Sequence, residues 1–181
     1  MKNFKGDLLE SNCDMLVHCA NLYHTFGSGI AYFIKRKFPE AYQADLETEN
    51  GCESRLGTYS KASISNNRVL YNLYAMVGIG NSGHPIDRNL SYDHFYNGLY
   101  NVCVDAMHSY KGITPLVVGV PKYIGCARAG GNWTIVETIL NEIESEFEDK
   151  IEIHVYELEE PEVNPKSTLP QNFNPNLGIF Y

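Results

Sequence analysis

The chain has 181 residues, 44% of them apolar, which suits one compact domain with a single sizeable core. Its 22 acidic and 14 basic side chains leave a formal charge of −8 with no long Lys/Arg run, so non-specific nucleic-acid binding is not expected. No stretch approaches the roughly 20 apolar residues of a membrane helix, and the charged N-terminus has no apolar signal core, so a cytoplasmic protein without a membrane partner is expected.

In chain order, Lys2–Lys5 is a short strand candidate, and the apolar run from Met15 to Ala20 is too short for a helix and reads as a buried strand. From Ser28 the period changes. Ile30, Phe33, Ile34 and Phe38 share a helix face, Lys35, Arg36 and Lys37 fill the last turn, and Pro39 ends it. Residues 40–50 fit a second short helix closing at Gly51. Residues 58–64 and 68–76 flank Ser65-Asn66-Asn67 as a hairpin, with Val69, Tyr71, Leu73 and Ala75 alternating on one face. Residues 77–88 read as a loop, and Ser91 as the N-cap of a helix to about residue 110, striped by Phe95, Leu99, Val102 and Ala106.

Residues 115–120 form a second fully apolar strand, followed by Gly125-Cys126-Ala127-Arg128-Ala129-Gly130-Gly131. Trp133, Val136, Ile139, Leu140, Ile143 and Phe147 then give the strongest helical stripe, and residues 151–158 alternate as a last strand. Apolar strands separated by amphipathic helices predict a three-layer α/β/α sandwich around a mixed, largely parallel sheet. Residues 1–158 make the domain, and 159–181 a Pro- and Asn-rich tail without regular structure.

Cysteines stand at 13, 19, 52, 103 and 126, an odd number with no CxxC pair and no Cys/His couple at zinc spacing. Reduced thiols, no metal and no cofactor are expected. Ligands of open α/β sheets bind beyond the carboxyl ends of the strands, where loops enter helix N-termini. Two junctions fit: His18-Cys19-Ala20-Asn21 leading to Gly27-Ser28-Gly29-Ile30, and residues 125–131 before Trp133. Each glycine cluster alone equally fits a tight turn or helix cap, whereas the pair can clamp a diphosphate through backbone N–H groups. Neither is a Walker A or GxGxxG sequence, which disfavours P-loop NTPases and ordinary dinucleotide dehydrogenases.

His18 and His24 are the leading titratable groups, able to serve a phosphomonoester as nucleophile, acid or base, although a histidine in an apolar strand equally fits a hydrogen-bonded core role. Asp87 and His84, in the glycine-rich loop, are further acid/base candidates, with a solvated loop role as the alternative. Tyr74, Tyr92 and Tyr123 fall near loop or strand ends where a ring can stack on adenine or pack on a ribose, and Tyr123 adjoins the second glycine-rich loop.

Gly6-Asp7-Leu8-Leu9, His18-Cys19-Ala20-Asn21, Gly27-Ser28-Gly29-Ile30-Ala31, Phe38-Pro39 and Pro121-Lys122-Tyr123-Ile124-Gly125-Cys126 through Gly130-Gly131-Asn132-Trp133 together resemble the macro domain family. The likeness is closest to its branch processing ADP-ribose 1''-phosphate, and spans residues 4–158 in the expected order. It implies that Asp7, beside Leu8, accepts a hydrogen bond from the adenine amino group and that Asn21 faces the distal ribose. Gly27, Ser28, Gly29 and Ile30 would hold one phosphate. Ile124, Gly125, Cys126, Ala127, Arg128, Ala129 and Gly130 would wrap the other, with Arg128 a possible side-chain contact.

The sequence departs from two hydrolase subgroups of that family. One resembles GGGVD at the first loop, whose acidic residue is missing from Gly27-Ser28-Gly29-Ile30-Ala31. Another uses a Lys after the middle strand and an Asp in the second loop, where Met76 and Ala129 stand here. What remains resembles the phosphatase-like GLAGGxW, compared with Ala127-Arg128-Ala129-Gly130-Gly131-Asn132-Trp133. The resemblance therefore implies an enzyme, a metal-independent phosphatase giving ADP-ribose and phosphate. The alternatives are a non-catalytic ADP-ribose reader and a hydrolase of ADP-ribosyl adducts.

Overall fold

The computed structural model describes residues 1–79, 88–109 and 115–159. Its strands are β1 (Lys2–Lys5), β2 (Met15–Asn21), β3 (Tyr59–Ile64), β4 (Arg68–Met76), β5 (Leu116–Pro121) and β6 (Ile151–Glu157), in the sheet order β1-β6-β5-β2-β4-β3. Only the β3–β4 pair is antiparallel, joined through Asn66 and Asn67 in the left-handed region that asparagine tolerates. Helices α1 (Gly29–Lys37), α2 (Pro39–Leu46), α3 (Tyr92–Ser109) and α4 (Trp133–Glu146) complete the α/β/α sandwich expected from the sequence.

Strand alternation sorts the core into two sides. Met15 and Val17 of β2 and Tyr71, Leu73 and Ala75 of β4 pack with the buried stripes of α3 and α4. Leu16 and Leu70 face the other way, against Ile30 and Ile34 of α1 and Ala41 of α2. Pro39 ends α1 and also opens α2, since Phe38 is the C-cap of the first and the N-cap of the second. The second helix stops at Leu46, short of the expected residue 50. Its amphipathic signal is carried by two buried residues, Ala41 and Asp45, and the latter is polar, which blurs the pattern.

Strand order reverses between β2 and β5: from β1 at one edge the chain enters at β2, goes to the far edge at β3 and back to β4, then crosses to β5 and on to β6 beside β1. There β2 and β5 share only the registers Met15↔Val118 and Leu16↔Gly119, whereas β2 stays paired with β4 from Met15 to Asn21. The carboxyl ends of β2 and β5 therefore splay, opening a cleft at the topological switch point. Gly119 lets the chain cross this junction closely, since a Cβ there would lie 2.6 Å from Leu8 Cδ1 and 2.7 Å from Cys13 Sγ.

Candidate functional site

The splayed strands form a cleft of about 370 Å³, inside the range of small-molecule sites. Gly27, Ser28, Gly29 and Ile30 line one wall; Tyr123, Ile124, Gly125, Ala127, Arg128 and Ala129 line the other. The tertiary fold thus brings the two glycine-rich loops face to face. Cys126 and Gly130 belong to the second loop but not to the lining. The Cys126 Sγ turns toward Ile124 O at 3.4 Å, and burial pushes its thiol up to about 11.

The two walls differ in what they offer an anion. Ser28, the N-cap of α1, makes no side-chain capping bond, and Tyr32 N returns to Ser28 O, so the N–H groups of Gly29, Ile30 and Ala31 have no partner among the described residues. They and the positive end of the α1 dipole are open to a negative ligand. The start of α4 is already occupied: Asn132 Oδ1 accepts from Thr134 N at 2.9 Å, and Asn132 N donates to Tyr92 OH at 2.8 Å. The helix start is therefore open at α1 and occupied at α4. The second wall offers loop N–H groups, those of Ala127 and Arg128 having no partner among the described residues, together with the Arg128 guanidinium.

Leu90 fixes the shape of that second loop. Asn89 N and Leu90 N both donate to Ala129 O, at 2.9 and 3.0 Å, and the Leu90 side chain fills the space beside Gly125 and Gly131. A Cβ on Gly131 would lie 2.5 Å from Leu90 Cδ2 and 2.7 Å from Gly125 O, and Gly125 adopts φ +68°. Glycine is needed at both places for contact and conformation together.

His18 sits in the cleft floor, 1% exposed, with its Nε2 2.7 Å from Asn72 Oδ1 and its ring edge-on to Phe26. Burial holds its pKa below the ordinary histidine value, against the opposing pull of the Asn72 bond and the Asp45 charge. Cys19, also at the floor, has its thiol pushed up to about 12 by burial, which keeps it protonated and a poor nucleophile at neutral pH. His24 does not line the cleft. It adopts φ +57° and turns its Nδ1 to Asp45 Oδ2 at 2.8 Å, so it tethers the 22–28 loop to α2.

Asn21 lines the cleft, with Nδ2 donating to Thr25 Oγ1 at 2.5 Å and Oδ1 accepting from Tyr23 N at 2.8 Å, a turn that shapes the chain before Gly27. Asp7 and Leu8 lie outside the cleft lining. Asp7 Oδ1 accepts from Leu9 N at 2.8 Å as the cap of a short 3-10 turn, and Leu8 is buried beneath it. Tyr74 is fully buried and donates to Asp45, which removes it from any stacking role. Tyr92 lies against the Arg88 guanidinium at 4.0 Å, and Tyr123 packs edge-on against Trp133 with its ring largely exposed. Asp87 and His84 lie outside the described residues.

Sequence reading missed the buried polar cluster behind the floor. Asp45 is 0% exposed and accepts from Tyr74 OH at 2.7 Å and Arg55 Nη2 at 3.3 Å as well as facing His24. Arg55 also donates to Leu22 O and Glu49 O and lies over the Tyr74 ring. The available signal was Asn72, a buried polar residue inside the apolar run of β4 from Val69 to Met76. Met76 and Ala129, in the places where one hydrolase subgroup carries Lys and Asp, both line the cleft. Among the described residues no cluster of His, Cys, Asp and Glu suits a metal ion, and no helix is long and apolar enough to cross a membrane.

A sheet of this order, with a cleft at its switch point walled by two glycine-rich loops, defines the macrodomain class. No family model matches the sequence. An uncharacterised 17.5 kDa protein of Enterobacteria phage T4 is 31% identical over 154 residues, covering 82% of this chain and 92% of the relative. A DNA ADP-ribosyl glycohydrolase of Thermus aquaticus is 24% identical over 181 residues, and the chain covers 45% of that longer protein. Among solved structures, the macrodomain of Thermus aquaticus DarG matches with a TM-score of 0.63 and 20% identity, over 88% of this chain and 97% of that one. Thermosipho africanus DarTG in complex with ADP-ribose matches with a TM-score of 0.62 and 16% identity, over 99% of this chain and 44% of that one. The chain belongs to the macro domain family, and its sequence relation to the phage protein spans nearly all of that relative.

Proposed function

We propose that the protein binds ADP-ribose in this cleft, with its diphosphate between the two glycine-rich loops, and hydrolyses an ADP-ribose derivative. One observation carries the reading: residues with unpartnered N–H groups at the start of α1 and at Ala127 and Arg128 line one and the same cleft. Such donors suit a diphosphate without cationic side chains, which explains how an acidic chain can take an anionic ligand. The complex of Thermosipho africanus DarTG with ADP-ribose supports the choice of ligand. Asn21 is proposed for the distal ribose and Asp7 with Leu8 for the adenine end.

The substrate we propose is ADP-ribose 1''-phosphate, attacked at phosphorus by water to give ADP-ribose and phosphate. Arg128 is the only cationic side chain among the described lining residues, and these include no carboxylate. A guanidinium and preorganised N–H groups can stabilise charge on a transferring phosphoryl group. Met76 and Ala129 supply neither the ammonium nor the carboxylate of the adduct-cleaving subgroup. The second reading, hydrolysis of an ADP-ribosyl adduct, is favoured by the likeness to the Thermus aquaticus glycohydrolase.

Incubation without added metal, with ADP-ribose 1''-phosphate in one arm and ADP-ribosylated DNA or protein in the other, separates these readings. Inorganic phosphate in the first arm, reduced at least tenfold in Arg128→Ala, is the expected result. Free ADP-ribose from the second arm alone establishes the adduct hydrolase. Binding of ADP-ribose without turnover in either arm leaves a reader.

A further inference from the structure

Behind the cleft floor, side-chain hydrogen bonds run unbroken from His18 to Asp45, and their direction can be read at every step. Asn72 Nδ2 lies 2.8 Å from Ala41 O, an atom that only accepts, and 2.9 Å from Ser60 Oγ. The amide nitrogen must therefore face that way, which leaves Asn72 Oδ1 toward His18 and requires His18 Nε2 to carry the proton. At the far end, the Asp45 carboxylate, paired with Arg55, takes the Tyr74 hydroxyl proton at 2.7 Å. Having spent its proton there, Tyr74 accepts from Ser60 at 2.7 Å, and Ser60 accepts from Asn72. Every donor in the chain points toward Asp45, so the bonds polarise one another in one sense.

His18 Nδ1 is left with its lone pair, and it is a fully buried side-chain atom that meets no hydrogen-bond donor among the described residues. A buried acceptor without a donor is costly, and this one belongs to a residue of the cleft floor. We infer that Asn72, oriented by the Ala41 carbonyl and backed by Ser60, Tyr74 and Asp45, is a positioning residue that holds His18 with its proton on Nε2, and that Nδ1 accepts a hydrogen bond from a hydroxyl of the ligand's distal ribose. This rests on the ADP-ribose reading. A phosphate oxygen without a proton, which also only accepts, cannot satisfy that atom.

The test is long-range 1H–15N NMR on the 15N-labelled full chain, with the His18 signals assigned by their loss in His18→Gln. Expected are a protonated Nε2 and a bare Nδ1 at neutral pH, and an upfield shift of Nδ1 with saturating ADP-ribose but not with ADP, which lacks the distal ribose. Asn72→Leu removes the acceptor that holds the Nε2 proton and should populate both tautomers. Tyr74→Phe leaves the Ala41 carbonyl to orient Asn72 and should keep the proton on Nε2, which checks the assignment if Asn72→Leu does not fold. His18→Phe should weaken ADP-ribose binding about tenfold, the loss of one hydrogen bond, and ADP binding less than about twofold. A proton on Nδ1, an Nδ1 shift equal with ADP, or no shift at saturating ADP-ribose would overturn the inference. No binding of ADP-ribose by the wild type in the same titration overturns instead the functional reading beneath it.

Discussion

Replacing Arg55 by methionine probes the buried cluster that shapes the first glycine-rich loop. Arg55 is 8% exposed, and its partner Asp45 is 0% exposed. Methionine roughly preserves the volume but deletes the ion pair to Asp45 at 3.3 Å, the bonds to Leu22 O at 3.1 Å and Glu49 O at 2.6 Å, and the contact over the Tyr74 ring at 4.0 Å. Removing one member of a buried pair costs about 3–5 kcal/mol, because the other charge stays buried without its ionic partner. With a urea dependence of about 2 kcal/mol per molar, the unfolding midpoint should fall by roughly 2 M. Adding Asp45→Asn removes the stranded charge and should recover part of that loss. Equilibrium urea unfolding followed by circular dichroism measures both. An Arg55→Met variant within about 1 kcal/mol of wild type, or a double variant less stable than it, refutes the argument.

Gly131→Ala should cost at least tenfold in ADP-ribose affinity by calorimetry, since its Cβ would meet Leu90 and the Gly125 carbonyl and displace the second loop. The lowered pKa of His18 makes the fold sensitive to acid. Between the ordinary value of about 6.5 and the lower folded value, the unfolded chain takes up the proton that the fold refuses, so stability falls as pH falls through that window. Denaturation midpoints at pH 7.5 and 5.5 should therefore differ less in His18→Gln than in wild type. Cys19 and Cys103, with thiols pushed up to about 12, and Cys126, up to about 11, should alkylate at pH 8 far more slowly than in urea-unfolded protein, read by peptide mass spectrometry.

The order and type of the elements were legible in the sequence because each rests on a local period: β2 and β5 as short apolar runs, α1 and α4 as 3.6-residue stripes, and β3–β4 as a hairpin around Asn66 and Asn67. The facing of the two glycine-rich loops followed from resemblance and the switch-point rule. Local pattern placed α2 but not its end, because its inward face carries Asp45, whose partners come from residues 24, 55 and 74. Nor did it distinguish the two helix starts. Ser28 leaves the α1 N–H groups open, whereas Asn132 and Tyr92 occupy those of α4, and Tyr92 lies 40 residues from its partner.

The sequence by itself determined the sandwich, the strands at its centre and the two loops that wall the cleft, since burial on both faces and helical periodicity are properties of neighbouring residues. Only the tertiary structure decided what the histidines do. His24 and His18 look alike as titratable residues near a glycine-rich loop, but Asp45 takes His24 away from the cleft, while Asn72 fixes His18 beneath it. The physical reason is that the direction of a hydrogen bond depends on which donor meets which acceptor, and those meetings join residues brought together only by folding.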